Sequence, residues 1–236
     1  MFAAVFGDAA KTKKSILKAL AAGPKSGAEL SAELGLANTG HFAEHLRSLA
    51  EGGFITPDNG INPETGRSAR IDRYRLRDNY TRFYLRCVEP RKGEIAVGGY
   101  RFASVEQIPG WNSIIGLAFE NLIVNNWTEL LPRIGIGNAI VESAAPFRRV
   151  SSDASKGVQI DLLIQTPRTI YAIEIKRKNK IGQEEEREME DKIARLKPRK
   201  GMSVRPVLVY DGSLDPQLSG SGYFAATIDA SALLRQ

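Results

Sequence analysis

A single cysteine, Cys87, in 236 residues excludes an internal disulfide and fits a reducing compartment. Histidine is almost as scarce, with only His41 and His45. Their four-residue spacing would suit a metal pair, but neither a cysteine nor an acid stands at ligand spacing, so they read as polar surface residues of a helix. Long apolar runs are missing too. Each is broken well short of a membrane span, and Met1-Phe-Ala-Ala-Val-Phe-Gly7 lacks the charged start and the length of a secretory leader. A cytoplasmic chain with no membrane partner is expected. There is also no Gly-x-x-x-x-Gly-Lys-Ser/Thr loop. Gly23-Pro-Lys-Ser26 matches only its tail and follows a short basic helix instead of a buried strand, so ATP binding is not supported.

What is present suits two modest domains. The chain is 42% hydrophobic, with a net charge of +6 and a pI near 9.4 that favours polyanionic partners. In the N-terminal third, Ile16, Leu17 and Leu20 mark a helix that ends at Gly23-Pro24. Ser26-Gly-Ala-Glu29 is a capping box opening a second helix with Leu30 and Leu34. Phe42, Leu46 and Leu49 stripe a third, which starts after Asn38 or Thr39 and ends at Gly52-Gly53. Strands at residues 54–56 and 71–76 then flank a loop rich in Asn, Gly and Pro.

This is the outline of a winged helix-turn-helix over residues 1–79. In a DNA-binding version the third helix enters the major groove and the wing follows the backbone. The contact candidates are then His41, His45 and Arg47 on the helix, with Arg67, Arg70 and Arg73 in or after the wing. Glu44 on the same helix and a net charge of only +2 over residues 1–79 keep docking to a protein open as the alternative. A helical connector follows over residues 80–110, its aromatic stretch Tyr80, Phe83, Tyr84 predicted to pack on the winged helix.

Residues 111–236 predict a mixed sheet with helices on its faces. A largely buried helix is expected over 111–131, then a strand near 139–143, a hairpin turning at Pro167-Arg168, a charged helix over 183–196, a strand over 204–210 and a short last strand over 223–228. Glu120 interrupts the apolar surface of the first of these helices, where a carboxylate needs a cation or donors. It is a site candidate, or else a partly exposed acid among Asn121, Asn125 and Asn126. In the hairpin, strand alternation puts Glu174 and Lys176 on one face. A turn at Pro167-Arg168 sets Gln165 against Ile170 and Asp161 against Glu174.

Two carboxylates and an ammonium would thus converge. Two carboxylates can hold Mg²⁺ or Mn²⁺ against a phosphodiester while a lysine orients or polarises the attacking water. The competing account is a plain cross-strand ion pair near the sheet end. Lys178, among the basic residues after Lys176, stands where a phosphate backbone would approach, or simply on a solvated strand end.

This order of elements, with Glu120 on the first helix, Asp161 on the second strand and Glu174-Ile175-Lys176 on the third, resembles the PD-(D/E)-x-K nuclease superfamily. The resemblance implies a restriction-endonuclease-like core. In it Asp161 and Glu174 bind Mg²⁺, Lys176 assists the nucleophilic water and Glu120 supports the metal. Tyr74-Arg-Leu-Arg-Asp78, Tyr80-Thr-Arg-Phe-Tyr84, Gly116-Leu-Ala-Phe-Glu120 and Gln159-Ile-Asp-Leu-Leu163 are similar to the region C-terminal to the ATPase in archaeal-type AAA ATPases, where a winged helix precedes such a domain. Relatives of that kind carry a nucleotide-binding domain in front, so an ATPase partner, or a lost ATPase domain, is the corresponding expectation. The charged helix departs from the superfamily in one respect: Gln183-Glu-Glu-Glu-Arg187 lacks the Gln-x-x-x-Tyr pattern some of its nucleases add.

The expected function is that of a DNA-associated, metal-dependent nuclease-like protein. The alternative is a non-catalytic DNA-binding or ATPase-associated regulator on the same scaffold. No heptad or long exposed apolar face announces an interface, which leaves a monomer or a dimer open.

Overall fold

The computed structural model describes residues 6–68, 73–102, 104–151 and 156–233. It divides into two compact units, Met1–Asp58 with Ile71–Asn121, and Asn59–Arg70 with Leu122–Gln236.

The first unit is built on α1 (Ala10–Leu20), α2 (Gly27–Leu34) and α3 (Gly40–Glu51), followed by an antiparallel pair, β1 (Ile55–Asp58) and β2 (Arg73–Leu76). The capping box forms as expected: Ser26 Oγ accepts from the Glu29 N–H, and the Glu29 carboxylate accepts from the Ser26 N–H. Gly35 closes α2 in the left-handed region, where a side chain would be strained. Each helix turns its apolar stripe inward, and Ile16, Leu17, Leu20, Leu30, Leu46, Leu49, Ile55 and Leu76 form a common core. α4 (Asn79–Phe83) follows, N-capped by Asp78, and widens to a π-type turn over Tyr84–Val88. α5 (Lys92–Ala96) lies within the helical connector expected over residues 80–110.

Buried polar chemistry also stitches this unit. Arg82 donates to the carbonyls of Ala21 and Leu76, both 3.0 Å away, satisfying the end of α1 and the end of β2. Burial lowers its pKa from 12.5 to about 10, against the attraction of Glu120.

The division between units falls within α6 (Trp111–Asn125), which is shorter than the expected 111–131 because a 3₁₀ turn, Trp127–Leu130, replaces its last turn. Only part of its apolar surface is covered: Ile114, Ile123 and Val124 are buried, whereas Leu122 is exposed.

The second unit is a five-stranded mixed sheet in the order β3 (Ser143–Arg149), β4 (Val158–Gln165), β5 (Thr169–Ile181), β6 (Ser203–Leu214), β7 (Ala226–Asp229). The β3–β4 and β4–β5 pairs are antiparallel, the β5–β6 and β6–β7 pairs parallel. The parallel β5–β6 pairing needs a crossover, and α7 (Gln183–Arg195) supplies it. The hairpin register matches the expectation, with Gln165 opposite Ile170 and Leu162 opposite Ile173. The first strand does not: it begins at Ser143, where the expected one ended. Gly212 sits where the β5–β6 register shifts, and a Cβ there would lie 1.8 Å from the Lys178 carbonyl oxygen, so the bulge requires glycine.

Residues 59–68, read from the sequence as a wing, belong to this second unit. The Asn62 side chain accepts from the Glu64 and Thr65 N–H groups and makes a tight turn. That turn is held by an Ile61 N–H bond to Ser143 Oγ, an Arg199 N–H bond to the Pro63 carbonyl and a Glu64–Arg149 ion pair.

Candidate functional site

Asp161 owes its placement to a proline. Along β3 and β4, Ala145 pairs with Leu163 and Phe147 with Ile160, so Pro146 alone faces two residues, Asp161 and Leu162. Proline has no N–H for the ladder and is tolerated on an edge strand or at a bulge. A bulge here re-aims β4, and the Asp161 carboxylate Oδ2 accepts from the backbone N–H of Ile175 at 2.9 Å. That bond lies just beyond Leu162–Ile173, the last β4–β5 pair of the register. A side chain therefore continues the link between the two strands where the backbone ladder stops.

Glu174 is only 2% exposed, and both its oxygens are taken. Lys192 on α7 donates to Oε1 at 2.7 Å and to Oε2 at 2.6 Å, and Lys176 stands 3.0 Å from Oε1. Lys176 also donates to Glu188 of α7 at 2.8 Å. Burial pulls the Lys176 pKa down, but the hydrogen bonds and charges of Glu188 and Glu174 outweigh it and hold the ammonium well above its usual value. Lys176 is a fixed cation that can donate and polarise, not a base. The two glutamates and the two lysines of this cluster balance in formal charge, and Asp161 adjoins it through its bond to the N–H of Ile175, the neighbour of Glu174.

Glu174 and Lys176 meet as strand alternation expects, Asp161 was expected directly opposite Glu174 and bonds the Ile175 N–H, and Lys192 and Glu188 were not foreseen. For Lys192 the signal lies in the helix pattern. Met189 is buried on the sheet side of α7, Glu185 precedes it by four and Lys192 follows it by three, so all share its face. Glu185 is fully buried; it caps the helix by accepting from the Gly182 N–H and pairs with Lys178 at 2.6 Å.

Mg²⁺ is commonly held by one or two protein carboxylates together with substrate phosphates. Asp161 and Glu174 supply such a pair from neighbouring strands. The donor set fits on one condition, that Lys192 gives up Glu174. Among the described residues no group of three or more His, Cys, Asp or Glu side chains is placed to hold a metal ion.

No family model matches the chain, and no curated protein matches it. Among solved structures it is similar to protein VC1899 from Vibrio cholerae, at 13% identity and a TM-score of 0.38, over 94% of this chain and 48% of that one. The chain thus spans about half the length of that protein.

The remaining candidates are dispersed. Glu120 lies on α6 within the first unit, where its charge acts on Arg82. On α3, His41 and Arg47 are exposed, but His45 is buried at 9%, correcting its expected exposure. The reason is its place in the helix stripe beside Leu46 and Leu49, with the His41 ring stacked edge-on 4.4 Å from its own. Burial, with the nearby His41 and Lys13 charges, lowers its pKa. Arg67 is exposed in the 59–68 turn, and Arg70 lies outside the described residues. Arg73 is committed to Glu29 at 3.0 Å and to the Pro24 carbonyl, while Lys178 is committed to Glu184 and Glu185. No described helix is long and apolar enough to cross a membrane.

Proposed function

We propose that this chain is a DNA-associated, metal-dependent phosphodiester hydrolase of the PD-(D/E)-x-K type, with its site on β4 and β5 and a winged helix for docking to DNA or a partner. The observation that carries this reading is Asp161 and Glu174 offered by adjacent strands beside Lys176, one carboxylate redirected by a bulge and the other almost dry. A plain cross-strand pair calls for neither the bulge nor the burial of Glu174, since exposed pairs form at lower desolvation cost.

Mg²⁺ or Mn²⁺, held by Asp161 and Glu174, would supply electrophilic stabilisation of the phosphate and a more acidic water. Lys176, fixed between Glu174 and Glu188, presents a permanent cation to orient the attacking water or the developing charge. The Ile175 N–H fixes the Asp161 carboxylate, and the bulge fixes the strand that carries it. DNA docking rests on the exposed His41 and Arg47 of α3 and on Arg67. An ATPase partner is retained from the resemblance to archaeal-type AAA ATPase C-terminal regions.

One observation favours a second reading. Two ammonium groups already satisfy Glu174, as they would in a scaffold that docks DNA or an ATPase without catalysis. Cleavage of supercoiled, linear and single-stranded DNA with Mg²⁺ or Mn²⁺ separates the two. Metal-dependent cutting by the wild type that is lost in Asp161→Ala and Lys176→Ala is expected. A folded wild type that binds DNA and cuts none of the three substrates would reject the hydrolase and leave the adaptor.

A further inference from the structure

Lys192 belongs to two sites at once. One end of its surroundings is the Glu174 carboxylate; the other is an open groove of about 470 Å³ between the end of β3, the start of β4 and α7. Arg148, Arg149, Lys192 and Arg195 line the groove, against Glu188 and Asp191. Two of the arginines are preset. Arg149 is held by Glu64 and by the carbonyl of Arg195, and Arg195 is held by Asp191 and the Gly157 carbonyl, while Arg148 is exposed. Fixed guanidinium forks suit phosphate oxygens, whereas Lys192 is a mobile point charge on a flexible stem. Glu188 lines the groove as well and bonds Lys176, so the groove opens directly onto the carboxylate–lysine cluster.

We infer that this groove takes a phosphodiester backbone, and that Lys192 exchanges between Glu174 and a backbone phosphate, so that phosphate binding opens Glu174 to a divalent cation. The inference rests on the hydrolase reading and adds a coupling to it. A cation arriving on Glu174 meets the Lys192 ammonium, which bonds both carboxylate oxygens and repels a second positive charge there. A phosphate in the groove gives that ammonium another anion, while Lys176 remains on Glu174. Each ligand then lowers the cost of binding the other, and the coupling is reciprocal. A protein of this design keeps its metal site weak until nucleic acid arrives.

The experiment is Mn²⁺ titration, followed by loss of the free-ion electron paramagnetic signal. It is run alone and with short single-stranded phosphorothioate DNA or RNA of equal length, on wild type, Lys192→Met, Lys192→Gln, Arg148→Glu and Glu174→Ala. Circular dichroism confirms that each is folded. With nucleic acid, wild type should bind Mn²⁺ about tenfold more tightly than without it. Both Lys192 variants should bind Mn²⁺ alone about tenfold more tightly than wild type and gain nothing from nucleic acid. Arg148→Glu should weaken the nucleic acid and leave Mn²⁺ alone unchanged, and the tighter of DNA and RNA names the polymer. Mn²⁺ bound through Glu174 with equal affinity in wild type and both folded Lys192 variants would overturn the exchange alone. Mn²⁺ bound by none of the proteins would overturn the metal reading and the exchange with it.

Discussion

Two buried ion networks in this chain follow different rules. In the first unit, Arg75 donates through Nε to Asp58 at 2.8 Å and through Nη1 to Asn121 Oδ1. Asn121 in turn donates to the Arg77 carbonyl at 2.6 Å and to Asn79 Oδ1 at 2.9 Å. A guanidinium fork and an amide leave little freedom, and the network stitches β1, β2 and α6 in place. In the second unit the same task falls to lysines. Lys176 and Lys192 neutralise one nearly dry carboxylate, yet their own side chains keep about a fifth of their surface in solvent. Arginine with amide partners makes a closed joint; lysines at the rim of a groove make one that can be exchanged.

The largest effect that would sharpen this contrast is on catalysis. Asp161→Ala and Lys176→Ala should each lower metal-dependent DNA cleavage by about 10²-fold or more, whereas Asp58→Asn should leave it within about twofold, the scatter allowed for a distant site. Gel assays at saturating Mg²⁺ read both, and equal losses in all three would break the contrast.

Stability should divide the other way. Arg75→Met leaves Asp58 buried with its main cation removed and should cost about 3–5 kcal/mol in urea unfolding. Lys192→Met leaves Glu174 with Lys176 and should cost less, about 1–3 kcal/mol. If Lys192→Met proved the more damaging, the lysine cluster would be the structural joint.

The pH dependence should have opposite signs at two positions. Burial raises the Asp58 pKa from its ordinary 3.8 to about 6 despite the attraction of Arg75. A carboxyl raised on folding contributes stability that is fully present below pH 3.8 and is lost as pH rises through about 6. At 1.36 kcal/mol per pH unit this amounts to about 3 kcal/mol. Asp58→Asn should flatten that decline in unfolding measured across this range, and an unchanged slope would discard it. His45 is the smaller case. Its pKa is lowered, so its contribution is present above pH 6.5 and lost as pH falls below. His45→Gln should remove that acid-side loss, and imidazole proton resonances followed through the titration would report it directly.

Much of the site was legible because it depends on short-range periodicity. Alternation placed Glu174 and Lys176 on one face, and the tight turn at Pro167-Arg168 set a register that the structure reproduces at Gln165–Ile170. The capping box at Ser26 and Glu29 is equally local. His45 was misplaced because a polar residue was assigned to solvent by type, although it sits next to Leu46 in the buried stripe of α3. Residues 59–68 were read as a wing from composition, and composition does not say which surface such a turn packs on. In the structure Ser143, Gln165 and Arg199 hold it.

The chain's own order of residues determined most of the helices, the hairpin register and the three charges that β4 and β5 carry, because backbone periods of 2 and 3.6 act over a few residues. Tertiary structure alone decided that Pro146 would face Asp161 and Leu162, that Lys192 would close on Glu174 from 18 residues away, and that a groove would meet the cluster there. Those outcomes depend on strand pairing and on how α7 packs across the sheet. Long-range contacts of that kind are selected by burial of the whole core, and no local pattern specifies them.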